Sequence, residues 1–253
     1  MEEAITQVNF CRDLGVMMQD DASFKMHQEK VTKKVRQKCG WVLRTFYTRE
    51  QKFLKHMWNT LIQPHLDYCS QLWAPSEGAN LESLDGLLRS YTSKIPAVKH
   101  LNFWDRLSKL KLNSVGRRNE RYRIIYTWKI LEGLVPNCGV KEESESMETR
   151  LGRSCEIPKL AGSNEVRKLR SQSFQVTGPS LFNVLPKYLQ NLTKIEVNEF
   201  KELLDNYLTD IPDKPKVAGI QPTCLTSNSV ASNSLLHWIP LRLREAVWRR
   251  PGA

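Results

Sequence analysis

A chain of 253 residues, 40% hydrophobic and 26% charged, can bury the core of one or two domains, which excludes a wholly disordered polypeptide. A formal net charge of +11 points to polyanionic partners, nucleic acid or an anionic surface, and away from cationic ones. No apolar run approaches the roughly 20 residues that cross a bilayer, and the 6 cysteines contain no C-x-x-C pair of the kind that holds zinc or works as a dithiol.

The charge is unevenly spread. Residues 1–24 carry one base and five acids, residues 25–135 carry 21 bases and nine acids, and residues 30–55 hold nine bases against Glu50 alone. A phosphate-binding surface needs such a concentrated field, because each neutralised phosphate releases counterions. The acidic, polar start, Met-Glu-Glu-Ala-Ile-Thr-Gln, has no secretory signal. The expected location is therefore intracellular, nucleus or cytoplasm, and not secreted, with thiols kept reduced. Asn191-Leu192-Thr193 fits a glycosylation pattern and is read as coincidence without a secretory route.

Residues 1–22 read as an extended piece ending in a turn, with Asp20, Asp21 and Ser23 offering an N-cap. A helix is expected over about 24–46. Phe24, Val31, Val35, Cys39, Val42 and Phe46 recur at three, four and seven residues and fall on one line of it. Lys30, Lys33 and Arg44 project from the opposite side, with Lys34 and Arg36 on the flanks. Trp41 sits away from the apolar line, near Lys34, and either stacks on a base or packs on a neighbouring helix.

Thr48-Arg49-Glu50-Gln51 fits a capping box before a second helix carrying Phe53, Leu54, Met57, Trp58, Leu61 and Ile62. Pro64 kinks that helix or starts a new turn, and Pro75 stops the apolar stretch from His65 to Trp73. Further helices are expected at about 80–94, 103–110 and 115–133. Arg117-Arg118 is either a second phosphate contact, or else a solvated helix start or a salt bridge to Glu120. His65 and Cys69 stand at i and i+4, which suggests a Cys-His pair, but in a bulky apolar stretch the thiol reads as packing. Residues 136–165 read as a linker with a short strand near 154–160, and helices follow at about 171–184 and 196–208. From 211 the composition turns to Pro, Ser, Thr and Asn and is expected to be of low order, ending in the Trp- and Arg-containing segment 235–253. The fold class is therefore mainly α. The expected plan is a helical bundle over 23–135 and a smaller helical module over 166–210, with little β structure and disordered ends.

Four stretches, taken in order, carry a family resemblance. Asp13-Leu14-Gly15-Val16 runs through Phe24, His27 and Val31 to Leu43-Arg44-Thr45-Phe46. Leu61-Ile62-Gln63-Pro64-His65-Leu66-Asp67-Tyr68 follows, with Trp73-Ala74-Pro75. Then come Asp105-Arg106-Leu107, Leu110, Leu112, Arg117-Arg118 and Tyr126-Thr127-Trp128-Lys129-Ile130-Leu131-Glu132-Gly133. Last are Arg170 to Phe174, Gly178-Pro179, Phe182-Asn183, Leu185-Pro186 and Phe200-Lys201. Together they resemble the thumb and post-palm region of LINE-type non-LTR retrotransposon reverse transcriptases of the jockey-like branch, over about residues 10–215.

The resemblance implies a thumb-like grip on template–primer nucleic acid, RNA or DNA, as duplex or single strands. It also implies a fingers–palm portion of the polymerase as a partner. That portion would hold the catalytic aspartates and their Mg²⁺ ions. Asp20-Asp21 is the only adjacent Asp pair in this chain and reads as helix capping, so no catalytic residue, metal ligand or cofactor is assigned and the chain alone is expected to be inactive as an RNA-directed DNA polymerase. The expected function is sequence-indifferent nucleic-acid binding through Lys30, Lys33, Lys34, Arg36 and Arg44, with Arg117, Arg118 and a stacking Trp41 as further candidates. No membrane contact is assigned. The alternative is a protein-interaction module or the non-functional remnant of a mobile element.

Overall fold

In the computed structural model, residues 8–75, 79–143, 153–211, 213 and 229–233 are described. The fold is mainly α, with one two-stranded sheet. The segment read as extended is an antiparallel hairpin of β1 (Phe10–Asp13) and β2 (Val16–Gln19), pairing Asp13 with Val16 and Phe10 with Gln19. Its two-residue turn has Leu14 at φ 44 and Gly15 at φ 92. Positive φ at both central residues is the turn whose twist suits a hairpin, and Gly15 adopts it without a Cβ clash.

Helix α1 (Lys25–Thr45) follows, with Val31, Val35 and Val42 of the expected apolar line buried. The expected cap is corrected. Neither Asp20, Asp21 nor Ser23 caps α1; its N-cap position is Phe24, without a side-chain bond. Instead Gln19, at the end of β2, accepts the Met26 N–H at 3.2 Å, so the hairpin itself supplies the cap. Asp21 serves the turn, its carboxylate accepting the Ser23 N–H at 2.8 Å. At the other end Arg49 Nη2 donates to the Leu43 carbonyl at 2.6 Å, a cation on the last turn's free acceptors.

The capping box at Thr48 is also corrected: α2 (Gln51–Met57) begins after Glu50, with no side-chain cap. Proline explains what comes next. Pro64 has no N–H to give, and the chain widens into a π-turn over Trp58–Ile62, with the Gln63 N–H reaching the Trp58 carbonyl, before restarting as α3 (Gln63–Asp67). The short α4 (Ser70–Trp73), α5 (Ala79–Thr92) and α6 (Phe103–Leu110) complete this part. Arg106 of α6 is 7% exposed and turns inward, donating to the Leu101 carbonyl at 2.8 Å and to the Arg89 carbonyl at 3.3 Å. Backbone acceptors thus offset the burial of that guanidinium.

Helix α7 (Val115–Leu131) is capped by Ser114, whose Oγ accepts the Arg117 N–H at 3.1 Å. Asp85 of α5 adds a carboxylate at the same helix start, accepting the Val115 N–H at 2.9 Å. The chain divides into two compact units, 1–119 and 120–253, so the division falls inside α7 rather than across 136–165. Burial shows why. Val115 belongs to the first core, while Ile124, Ile125, Trp128 and Ile130 belong to the second.

In the second unit the expected strand near 154–160 is replaced by a single bridge between Glu142 and Cys155. Arg153 ties this loop down, donating to Glu132 at 2.5 Å and to Glu142 at 2.6 Å. The helix expected at 171–184 appears as α9 (Phe174–Asn183), and a further helix that the spacing did not predict, α8 (Asn164–Ser171), precedes it. α10 (Lys187–Gln190), α11 (Val197–Thr209) and α12 (Val230–Asn233) follow. The low order expected at 1–7, over most of 211–253 and in the 235–253 segment lies outside the described residues.

Gly178 of α9 is where two elements come closest. A Cβ there would lie 2.6 Å from Thr127 Oγ1 of α7 and 2.9 Å from the Phe174 ring. Gly178→Ala is expected to destabilise the second unit by about 1–3 kcal/mol through overpacking, read as a lower urea midpoint. An unchanged midpoint would mean that the backbone relaxes there freely.

Candidate nucleic-acid interface

Burying Val31, Val35 and Val42 turns the opposite side of α1 outward. Lys30, Lys33, Lys34, Arg36 and Arg44 are all exposed, as their wheel positions require. Glu29 is the one acid of the helix, against Lys25, Lys30, Lys33, Lys34, Arg36, Lys38 and Arg44. At 100° per residue Arg36 stands roughly 160° from Lys34. Lys30, Lys33, Lys34 and Arg44 therefore form the patch, with Arg36 on the far flank.

Tertiary structure adds what spacing along one helix does not. Between the hairpin, α1 and α3 lies a cleft of about 360 Å³, lined among others by Arg12, His27, Lys30, Lys34, His65 and Tyr68. Tyr68 closes it on the hairpin side, its hydroxyl donating to the Leu14 carbonyl at 2.7 Å. Arg12 comes from β1, a cation outside the basic segment that charge counting singled out.

The two histidines register the local field. Burial first, and then Lys30, lowers the pKa of His27; burial first, and then Lys34 and Lys38, lowers that of His65. His27 is 5% exposed, its Nδ1 accepts the Met17 N–H at 3.3 Å, and its ring meets Trp73 edge-on at 5.0 Å. That acceptor role requires an unprotonated Nδ1. The sequence contained the signal: His27 stands four residues before Val31, at the edge of the apolar face.

A pH dependence follows. Both folded-state values lie below the ordinary 6.5. The stabilisation is complete above that pH and is lost as pH falls through the depressed values. Urea midpoints are expected to be flat above about pH 6.5 and to decline below it, with a shallower decline in His27→Gln. An equally steep decline in that variant would remove His27 as a contributor.

The remaining candidates divide. Arg117 is 1% exposed, so neither a phosphate contact nor a solvated helix start holds for it. Arg118 pairs with Asp67, Nη2 to Oδ2 at 2.5 Å and Nε to Oδ1 at 3.2 Å. This two-point clamp holds α7 to α3 and commits the guanidinium to structure. The carboxylate of Glu120 accepts the Val230 N–H at 2.8 Å. Trp41 is 45% exposed, and its ring meets that of Phe46, just beyond its own helix, 5.9 Å away and nearly perpendicular.

His65 and Cys69 do not form a helical i, i+4 pair, because α3 ends at Asp67 and Cys69 has φ 51. The Cys39 thiol is pushed up to about 12 by burial, as is that of Cys155, so neither is a thiolate near neutrality. Asp20 and Asp21 serve the turn that leads into α1. Asp20 Oδ1 accepts the Asp21 N–H at 2.9 Å, Asp21 holds the turn, and among the described residues no three acidic, His or Cys side chains gather as metal ligands.

Comparison with protein-family models, with curated proteins and with solved structures gave no match. Among the described residues, no helix is long and apolar enough to cross a membrane.

Proposed function

We propose that this chain binds nucleic acid without reading its sequence, through backbone phosphates laid against α1. One observation carries the reading: four cations of one helix, Lys30, Lys33 and Arg44 opposite a buried valine line and Lys34 on its flank, are exposed together. Arg12 extends the field across the cleft. Contacts of this kind position a strand or duplex and supply affinity without specifying bases. The resemblance to the thumb region of LINE-type reverse transcriptases agrees with the reading. On that resemblance, a separate fingers–palm portion would supply the catalytic aspartates and Mg²⁺.

The expected dissociation constant for duplex is on the order of 10⁻⁴–10⁻⁶ M at physiological salt. With four or five phosphates neutralised, log K should fall against log salt with a slope of about −4. A salt titration followed by fluorescence anisotropy checks this. Binding that does not respond to salt would exclude a phosphate-tracking surface. The second reading, a protein-interaction module or a non-functional remnant, has its motivation in Arg117 and Arg118 being taken up by burial and the Asp67 clamp. It predicts no nucleic-acid binding above that of any basic protein.

A further inference from the structure

Trp41 does not stand alone on its flank of α1. At 100° per residue, positions 30, 34, 38 and 41 fall within about 80° of one another. Lys30, Lys34 and Lys38 thus follow one another at single-turn intervals, about 6 Å apart along the axis, and Trp41 ends the row. Lys30 and Lys34 line the cleft, and Lys34 and Lys38 both act on His65, so the three ammonium groups share one side of the helix. Lys38 Nζ lies 5.6 Å from the centre of the Trp41 ring.

The indole is also fixed in place. Phe46 meets it edge-on at 5.9 Å, and Phe46 in turn meets Phe53 at 5.2 Å, against the first core. A side chain anchored this way yet 45% exposed loses little freedom when a planar ligand docks. Lys38 stands beside it and Lys34 and Lys30 continue the row, so the complementary ligand is an aromatic polyanion rather than an apolar protein surface.

We infer that the flank Lys30–Lys34–Lys38–Trp41 is a track for unpaired nucleic acid, with successive phosphates on the lysines and a base stacked on Trp41. Turn-spaced cations suit the spacing of phosphates along one extended strand. Duplex bases are stacked on each other and offer no free face to the indole, so Trp41 discriminates strandedness while the lysines do not. The inference rests on the nucleic-acid reading above and names its ligand form.

The test uses the full chain and two labelled probes, an oligothymidylate of about 12 nucleotides and a duplex of the same length. Trp41→Ala is expected to weaken oligothymidylate binding about tenfold and duplex binding by less than about twofold. Trp41→Phe, which keeps a smaller stacking face, should retain most of the affinity but lose the part of the tryptophan fluorescence quenching that oligothymidylate causes in the parent chain. Lys34→Glu should weaken both probes. Equal losses on both probes in Trp41→Ala, or quenching in Trp41→Phe as large as in the parent, would overturn the track. If the parent chain binds neither probe, the nucleic-acid reading itself has failed and the track falls with it. Duplex binding with an indifferent Trp41 sinks the track alone.

Discussion

Trp128→Ala is expected to remove about 3–5 kcal/mol of stability, the largest effect of any single truncation proposed here. Trp128 is 0% exposed in α7, and its indole lies flat on Phe200 of α11, with ring centres 4.3 Å apart and planes 6° from parallel. Its Nε1–H donates to the Leu192 carbonyl at 2.8 Å. Truncation opens a cavity between two helices, strips Phe200 of its stacking partner and leaves a carbonyl without its donor. Trp128→Phe keeps a ring and should cost clearly less. Trp41→Ala, at a half-exposed site, should cost under about 1 kcal/mol. Urea unfolding of the three variants orders them. A Trp128→Ala midpoint close to that of the parent chain would mean that the second core does not depend on this stack.

The triple reversal Lys30→Glu, Lys33→Glu, Arg44→Glu should abolish nucleic-acid binding while leaving the fold intact. Each reversal changes the charge by two, so the formal net charge falls from +11 to +5. The chain stays basic, and a binding loss cannot be put down to overall charge alone. Three of the four patch cations become repulsive, so affinity should drop by more than about a hundredfold at physiological salt, and the residual salt slope should shrink from about −4 to about −1. All three residues are exposed, so helix content should be unchanged. Binding that survives the reversal would move the phosphate surface off α1 and favour the protein-interaction reading.

The two variants separate two kinds of information in the chain. Residues that answer to one helix were legible from spacing. Val31, Val35 and Val42 are buried, and Lys30, Lys33, Lys34, Arg36 and Arg44 exposed, because a 3.6-residue period fixes faces before any partner is known. The bounds of α6 and the stop after Trp73 were legible too, the latter because Pro75 cannot continue a helix.

What spacing misjudged were groups whose role depends on a distant segment. Arg117 and Arg118 sit side by side like a solvated pair, yet one is buried and the other clamped to Asp67, a residue 51 positions away. Asp20, Asp21 and Ser23 had the chemistry of a cap, but Gln19 held the better position because the hairpin brings it over the start of α1. The cleft joins Arg12, Lys30 and His65 from β1, α1 and α3, which no local pattern relates.

Periodicity and charge are local properties, and they suffice to specify a mainly α chain with a basic, outward helix face. Which cations remain exposed was settled by packing, since burial and pairing with remote carboxylates depend on which segments come together.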